Sequence, residues 1–411
     1  MMQIGPIFRA LMHSKSRFWL ITLEVALTLA IVVNCINMML DIRYDYIRPS
    51  GYDEENLIVV YTEPFSVEFK EDEFVDQIRL EDLTRLRAVP GVIAATGIHQ
   101  IPLSGSGSGT GRKPLGAEMD TLSAPYFVVT EDAIDTFGVE LIAGRDFQPG
   151  DWDYDEEAYE AGEPERGVIL SKALADALFP DGDALGKLIQ SSTGERVNPV
   201  IGIVAEIDNS WPGSKRVAGR VMLFPGKPGG AGVMGMRYMV RTEPGAVESV
   251  YADLEGVIRE VNADRVVTIR TLVEVKTDNF QAQLAVTKLL TAVIVLLILV
   301  TALGIVGLTS FSVTQRIRQI GTRRALGASK ADIIRYFLVE NWLITGFGLL
   351  FGLVLTYGLN YALVSFADGA KLDLRLLIAG VLLLWMTGIL AALVPAIRAT
   401  SVSPEIATRT V

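Results

Sequence analysis

The chain has 411 residues, of which 50% are apolar and 21% charged, and its formal net charge is −11. A net acidic chain argues against nucleic-acid binding, which needs a basic face. With one cysteine, Cys35, and two histidines, His13 and His99, the sequence excludes an intrachain disulfide, a Cys-rich zinc site and a His-rich metal cluster.

Four apolar stretches are long enough to cross a bilayer, which takes roughly 20 residues as a helix. They cover residues 18–40, 289–313, 342–366 and 376–397, and Glu24 is their only charged residue. The first is too long for a typical signal-peptide core and no A-x-A site follows it, so we interpret it as an uncleaved anchor. The sequence therefore predicts a membrane protein with four transmembrane helices. A large α+β extracytoplasmic domain on helical stalks is expected between helices 1 and 2.

The placement of lysine and arginine predicts the orientation. Residues 1–17 carry three Lys/Arg and no acid, and residues 315–336 carry six against one acid. Residues 41–284 carry 23 Lys/Arg against 42 Asp/Glu. Because loops rich in Lys and Arg stay on the cytoplasmic side, we expect both termini in the cytoplasm. The large domain is then periplasmic, in a multi-pass protein of the bacterial inner membrane.

The expected order along the chain follows from these boundaries. The first half consists of a cytoplasmic N-terminal segment (1–17), transmembrane helix 1 with its stalk (18–48) and a periplasmic α+β domain of two lobes (49–272). A second stalk and transmembrane helix 2 (273–313) lead to a cytoplasmic coupling segment (314–336). The chain then continues with transmembrane helix 3 (337–366), a short external loop (367–375), transmembrane helix 4 (376–397) and a cytoplasmic tail (398–411). No proline interrupts residues 273–319, so one helix of about 70 Å is expected there, longer than a ~30 Å bilayer core. A break near Asn279 is the alternative.

The large domain has the pattern of mixed α and β structure. Short β-branched runs predict strands at 57–62, 126–129, 167–170, 199–204, 238–241 and 265–270. Apolar residues at helical spacing predict a helix at 246–262, and Ser171 is expected to cap a helix at 172–179.

The sequence contains no recognisable motif for catalysis, cofactor binding or metal binding. The Gly/Ser-rich run SGSGSGTG at 104–111 lacks the order of a phosphate-binding loop, and we interpret it as a flexible loop. GDALGK at 182–187 is interpreted as a turn. The acidic run 151–165 is interpreted as a solvated loop, with partner docking as the alternative. We therefore expect no enzyme activity, no cofactor and no metal site in this chain.

Several residues inside the apolar stretches carry helix-packing predictions. Gly348 and Gly352 form a G-x-x-x-G pair that allows close helix approach, and Asn34 and Asn37 are candidates for hydrogen bonds between helices. Glu24 lies about two turns from the cytoplasmic edge, where pairing with an arginine is more plausible than a proton relay.

The segment TQRIRQIGTRRALGASKADIIRYFLVE at 314–340 predicts a helix, a turn and a second helix. Gly327 suits the position after the first helix, and Ser329 with Asp332 forms a capping box for the second. The candidate coupling residues are Arg323, Arg324, Ala325, Leu326, Gly327, Ala328 and Ser329. The turn's small residues suit close docking to another protein, with Leu326 as the apolar anchor. The alternative is that the arginines only set the topology and contact anionic lipid.

This stretch resembles the signature of MacB/FtsX-type ABC transporter permeases, roughly R-x-x-E-I-G-x-R-[RK]-A-[LV]-G-A-[ST]. The tail PAIRATSVSPEIA at 395–407 is similar to the family's closing motif, and IAGRDF at 142–147 and VILSKALADALFPDGDALG at 168–186 resemble MacB-type periplasmic segments. The resemblance implies a dimer, with a second copy or a homologous permease. It also implies a periplasmic domain on stalks and a separate ABC ATPase, which would hold ATP and magnesium, bound at the coupling segment.

Two departures from the family pattern matter. Gln315 and Gln319 stand where glutamate is frequent, and no nucleotide-binding domain is present, whereas MacB carries one.

The leading hypothesis for the function is efflux of a drug, peptide or similar substrate with a periplasmic adaptor and an outer-membrane channel. Alternatives are a lipoprotein-releasing permease and an FtsX-like mechanical regulator of a cell-wall hydrolase. The sequence does not name the substrate.

Overall fold

The computed structural model describes residues 15–152, 166–194, 196–228, 235–367 and 369–401. The start of the basic N-terminal segment, the acidic run from 153 to 165 and the tail from 402 lie outside the described residues. The chain divides into two compact units. We call Asp45–Ala282 the large domain, and Met1–Tyr44 with Gln283–Val411 the helical unit.

The helices are α1 (Lys15–Ile47), α2 (Asp72–Arg87), α3 (Ala133–Phe137), α4 (Lys172–Leu178), α5 (Val247–Val261), α6 (Leu272–Gln315), α7 (Ile317–Ala325), α8 (Lys330–Ala367) and α9 (Leu374–Ala399). The strands are β1 (Leu57–Pro64), β2 (Val92–Gly97), β3 (Ser108–Pro114), β4 (Leu122–Val129), β5 (Leu141–Gly144), β6 (Val168–Ser171), β7 (Leu188–Ser191), β8 (Val197–Val204), β9 (Met222–Pro225), β10 (Met236–Thr242) and β11 (Arg265–Thr271).

Four helices, α1, α6, α8 and α9, are long and apolar enough to cross a membrane. Together with the strand-rich large domain they confirm the predicted fold class. Helix α6 continues through Asn279 without a break, so the alternative of an interruption there is wrong. It ends at Gln315 rather than continuing to Gln319, because the backbone of Arg316 leaves the helical conformation.

The first sheet of the large domain is four-stranded and antiparallel, in the order β11-β1-β10-β2. Strand β1 is buried on both faces, which explains its continuous apolar run. Ile58 and Val60 join a cluster with Leu86 of α2 and Leu254 of α5. Leu57, on the other face, belongs to a separate core.

The second sheet has the order β5-β8-β6-β9-β4-β3-β7, and β7 also pairs with β8. This extra pairing closes six of the strands into a ring. The core next to β1 includes Phe127 of β4 and Ile169 of β6, so both sheets contribute to one apolar cluster.

The interpretation of 104–111 as a flexible loop is wrong for its second half. Residues 108–111 belong to β3, which pairs with β4 and β7. Gly105 has a φ of 79°, and a Cβ there would lie 2.2 Å from Oδ1 of Asn279. The glycines thus serve close packing, whereas their composition alone suggested flexibility.

A charged pair lies in the core of the large domain. The Arg265 and Asp82 side chains are both 0% exposed and form two hydrogen bonds of 2.5 and 2.6 Å. The Tyr238 hydroxyl donates to the same carboxylate at 2.6 Å. Because each charge is taken out of water, its pairing is what makes its burial tolerable.

His99 is held neutral in the same domain. Its ring stacks on Tyr126 with centroids 5.2 Å apart, and Nδ1 accepts the Val128 N–H at 2.9 Å. Nε2 is buried and has no hydrogen-bond partner among the described residues. Burial, and secondarily the Arg237 guanidinium, lowers the pKa of His99 to about 4.

Candidate coupling segment and membrane-helix contacts

The coupling segment begins where α6 stops. The Arg316 backbone has φ −106° and ψ 16°, and its N–H donates to both Ser312 and Val313 carbonyls. The Arg316 guanidinium donates to the Glu340 carboxylate at 3.0 Å and to the Tyr336 hydroxyl at 2.9 Å. These bonds tie the start of α7 to α8.

Helix α7 is held by a small apolar core of its own. Ile320 is buried with Ile333 and Phe337 of α8 and with Ala396 and Ala399 of α9. Burial of isoleucine contributes about 1.5–3 kcal/mol. The segment is therefore a fixed part of the helical unit.

The turn after α7 is a Schellman motif. The Gly327 N–H donates to the Arg324 carbonyl at 3.1 Å, and the Ala328 N–H donates to the Arg323 carbonyl at 3.0 Å. Gly327 has a φ of 97°, the left-handed conformation that glycine adopts at little cost. Apart from its chain neighbours, no described residue has an atom within 4 Å of where its Cβ would stand, so the glycine is needed for its backbone conformation.

Helix α8 begins with a capping box. The Ser329 hydroxyl accepts the Asp332 N–H at 3.2 Å, and the Asp332 carboxylate accepts the Ser329 N–H at 3.0 Å. This reciprocal pair satisfies two N–H groups at the helix start. The turn is thus fixed on both sides, by the Schellman motif and by the cap.

The tip of the turn presents an apolar side chain to solvent. Leu326 is 84% exposed, and Ala325 and Gly327 beside it are also exposed. The turn therefore holds an exposed apolar side chain on a backbone that is fixed on both sides.

The two arginines before the tip have contacts inside the helical unit. The Arg323 guanidinium lies 4.9 Å from the Tyr336 ring centroid, and Arg324 donates to the Thr400 carbonyl at 2.8 Å. From the sequence, both arginines were predicted to lie at the edge of the surface that contacts a partner protein. Their observed bonds indicate that they also hold α7 against α8 and α9.

The glycine pair of α8 faces α1. A Cβ at Gly348 would lie 2.8 Å from the Val25 Cβ, and one at Gly352 would lie 3.1 Å from the Ala26 Cα. A side chain at Gly348 would force a shift and one at Gly352 would be tight, so the helices approach closely there.

Amide side chains link helices at the other end of the helical unit. Asn34 donates to the Thr356 carbonyl at 3.2 Å and accepts from Asn360 at 3.2 Å. Asn37 donates to the Ala370 carbonyl at 3.1 Å. Asn360 also donates to Ala370 and accepts the Leu372 N–H, which fixes the link between α8 and α9.

Glu24 packs against a glycine. A Cβ at Gly304 of α6 would lie 2.7 Å from the Glu24 Oε2. Next along the helices, the Thr28 and Thr301 hydroxyls are 2.8 Å apart. No salt bridge to Glu24 is found among the side chains that the structure describes. The basic side chains of residues 1–17 lie outside them, so the pairing with an arginine stays a prediction.

Sequence reasoning missed three contributors to these contacts. Asn360 completes the amide network, Gly380 approaches Val33, and Asn341 donates to the Gly388 carbonyl at 2.9 Å. Asparagine in an apolar stretch is a usable signal, since a bilayer offers its amide no water. Across the described ranges, no group of three or more His, Cys, Asp or Glu side chains could hold a metal ion.

Two protein-family models match this chain. The model described as the MacB-like periplasmic core domain matches residues 21–269, and the one described as the FtsX-like permease C-terminal region matches residues 291–404. The two matches cover most of the large domain and most of the helical unit.

Similar proteins include the macrolide export ATP-binding/permease protein MacB of Chromobacterium violaceum, 25% identical over 290 residues. That match covers 69% of this chain and 43% of the relative, so the chain spans less than half of that protein's length. The ABC transporter permease YknZ of Bacillus subtilis is 34% identical over 109 residues, 26% of this chain and 27% of YknZ.

Among solved structures, the periplasmic region of MacB from Actinobacillus actinomycetemcomitans is similar at 14% identity and a TM-score of 0.33. The alignment covers 56% of this chain and 95% of that structure.

Proposed function

This chain belongs to the family of MacB/FtsX-type ABC transporter permeases, and we propose that it is the membrane subunit of a transporter whose ATP is hydrolysed by a separate ATPase. Hydrolysis below the membrane drives a conformational change in the large domain, which is periplasmic. The permease works as a dimer, with a second copy or a homologous permease. Together with a periplasmic adaptor and an outer-membrane channel, it drives efflux of a drug, peptide or similar substrate.

The observation that carries this proposal is the tip around Leu326. An apolar side chain that is 84% exposed costs free energy unless a partner covers it. The turn that holds it is fixed by two capping motifs and by the Ile320 cluster. A push on such a tip displaces the helices instead of deforming the turn.

Efflux is supported by the relatives. The protein from Chromobacterium violaceum is named for macrolide export and for both ATP binding and a permease. The orientation is supported by the charge distribution, six Lys/Arg against one acid in 315–336 and an acidic excess in 41–284.

The test of coupling uses three variants at the tip. Leu326→Asp and Gly327→Val should each abolish co-purification of the ATPase while leaving membrane insertion intact. Leu326→Met, which keeps an apolar side chain, should bind as the wild type does. Leu185→Asp introduces the same charge at an exposed leucine of the large domain and serves as the control. Wild-type ATPase binding and transport by Leu326→Asp would end the coupling proposal.

The test of orientation uses cysteines in a Cys35→Ser background. An impermeant thiol reagent should label Ser106→Cys in intact cells and should label Ser329→Cys only after lysis. Labelling of position 329 in intact cells would reverse the proposed topology.

A further inference from the structure

A small pocket lies between the coupling segment and the first turns of α8. Its volume is about 20 Å³, which is room for a group the size of one water molecule. The side chains that line it are those of Arg316, Gln319, Ile320, Arg323, Ile333, Tyr336 and Phe337. The three apolar aliphatic and phenyl side chains belong to the buried cluster around Ile320, whereas Gln319 and Arg323 are exposed. The pocket is therefore reached from the side of these two residues.

An aromatic ring holds the Arg323 side chain at this pocket. The Arg323 guanidinium lies 4.9 Å from the centroid of the Tyr336 ring, within the distance of a cation–π contact. The Arg316 guanidinium lies 5.9 Å from the same centroid and donates to the Tyr336 hydroxyl at 2.9 Å. Tyr336 thus orients both cations at the pocket.

The two arginines differ in their anionic partners. Arg316 donates to the Glu340 carboxylate at 3.0 Å. Arg323 forms no salt bridge and donates no hydrogen bond to a residue that the structure describes. Gln319, the remaining polar side chain of the lining, is neutral. Two guanidinium groups therefore face one carboxylate, and the pocket lacks one anion.

The size of the pocket favours one kind of anion. A carboxylate presents two oxygens in a plane, which match the N–H groups of a guanidinium. A phosphate diester carries four oxygens around phosphorus, which is more than a space of water size can hold. A side-chain carboxylate therefore fits the pocket better than a lipid headgroup does.

The position of Arg323 indicates where that carboxylate comes from. Arg323 precedes Leu326 by three residues, so the two side chains lie on the same side of the segment, about 4.5 Å apart along the axis. A protein that covers the exposed Leu326 side chain therefore also reaches the pocket.

We propose that the pocket receives the carboxylate of an aspartate or glutamate of the ATPase subunit, which pairs with Arg323 while Leu326 is covered by the same surface. Tyr336 acts as a positioning residue, because its ring fixes the guanidinium before the partner arrives. This inference rests on the proposed function and adds the chemistry that the ATPase must present.

The first test measures the affinity of the full-length chain in detergent for the ATPase that co-purifies with the wild type, at several salt concentrations. Arg323→Gln should weaken binding roughly tenfold, a low value for a hydrogen bond between charged groups, and should reduce its salt dependence. Arg318→Gln removes the same charge from an exposed arginine of α7 outside the pocket and should weaken binding by less than about twofold. Tyr336→Leu should behave as Arg323→Gln does, and Tyr336→Phe, which keeps the ring, should bind as the wild type does.

The second test identifies the carboxylate directly. Arg323→Lys places a primary amine at the pocket, in a Lys330→Arg background that removes the nearby lysine. A carbodiimide activates a carboxylate so that the amine attacks it and an amide bond forms without a spacer. Mass spectrometry should map this bond between position 323 and an Asp or Glu of the ATPase. Arg318→Lys in the same background should give little product.

Three outcomes would overturn the proposal. Equal weakening by Arg318→Gln and Arg323→Gln would show a general charge effect, and an amide to Glu405 in the tail would identify a partner within this chain. Unchanged ATPase binding by Arg323→Gln with loss of bound phosphatidylglycerol would assign the pocket to lipid. Leu326→Asp separates the two proposals. If it abolishes the complex and Arg323→Gln does not weaken it, only this inference fails, whereas wild-type binding by Leu326→Asp ends the coupling proposal itself.

Discussion

The large domain and the helical unit bury polar groups in different chemical forms. The core of the large domain holds a fully buried ion pair, Arg265 with Asp82. The helical unit instead uses neutral amides, such as Asn34 with Asn360, at one end, and the salt bridge Arg316–Glu340 lies at the coupling-segment end. Removing one partner of a buried ion pair leaves an unpaired charge in the interior. Removing one partner of an amide contact leaves only an unpaired neutral amide, which is less costly. Substitutions at buried polar groups should therefore lower the free energy of unfolding more in the large domain than in the helical unit.

The largest expected effect is at the buried pair. Arg265→Met leaves the Asp82 carboxylate and the Tyr238 hydroxyl without their cation, which should cost about 3–5 kcal/mol of unfolding free energy. Urea unfolding of the full chain in detergent, followed by circular dichroism, measures it. The control Arg259→Met breaks an exposed pair with Glu255 and should cost at most about 1 kcal/mol. Equal costs for the two variants would contradict the comparison.

The second effect depends on pH. Burial lowers the pKa of His99 to about 4, below the ordinary value of 6.5. The neutral ring is the folded form, so its contribution is complete above pH 6.5 and is lost as the pH falls toward 4. The loss approaches about 3 kcal/mol, at 1.36 kcal/mol per pKa unit. The measurement is the wild-type unfolding free energy minus that of His99→Gln, at pH 7 and pH 4. A difference that does not change with pH would show that His99 titrates normally.

A third effect separates packing from polarity in the helical unit. Gly348→Leu forces a side chain into Val25 and should cost about 1–3 kcal/mol through overpacking. Gly358→Leu, on the same helix but in open space, should be near neutral. Unfolding in mixed micelles with increasing SDS compares the two. Similar behaviour of both variants would mean that α8 does not pack on α1 through Gly348.

The smallest effect is expected at the amide network. Asn360→Leu removes hydrogen bonds to Asn34 and Ala370, and such contacts in membrane helices average about 0.6 kcal/mol, with a maximum near 1.7. A double-mutant cycle with Asn34→Leu, by the same SDS method, isolates the pair. A coupling above about 3 kcal/mol would place this network in the energy range of the buried ion pair.

Local sequence patterns predicted those elements whose buried residues form a continuous run or recur at helical spacing. Strand β1 was evident from a β-branched run, and α5 was evident from Val250, Leu254 and Ile258 at helical spacing. The turn at Gly327 was predicted because a left-handed residue and a capping box leave local residue signatures.

Tertiary contacts decided the features that were missed. Residues 108–111 form a strand because they pair with β4, although Gly and Ser favour loops. Helix α2 buries Arg79 and Asp82, so its apolar pattern is weak in the sequence. The end of α6 depends on bonds from Arg316 to residues 20 and 24 positions later, which no local rule contains.

Helix α8 is one uninterrupted element from Lys330 to Ala367. Its 38 residues make a rod of about 56 Å, with the capping box at one end and the amide network near the other. A rod of this length is a lever. A tilt of about 5° about the coupling end displaces the far end by about 5 Å, which is close to the 5.4 Å pitch of one helical turn. A substitution that breaks the helix, such as Gly358→Pro, would separate α8 into two segments. A tilt at the coupling end would then no longer move the far end.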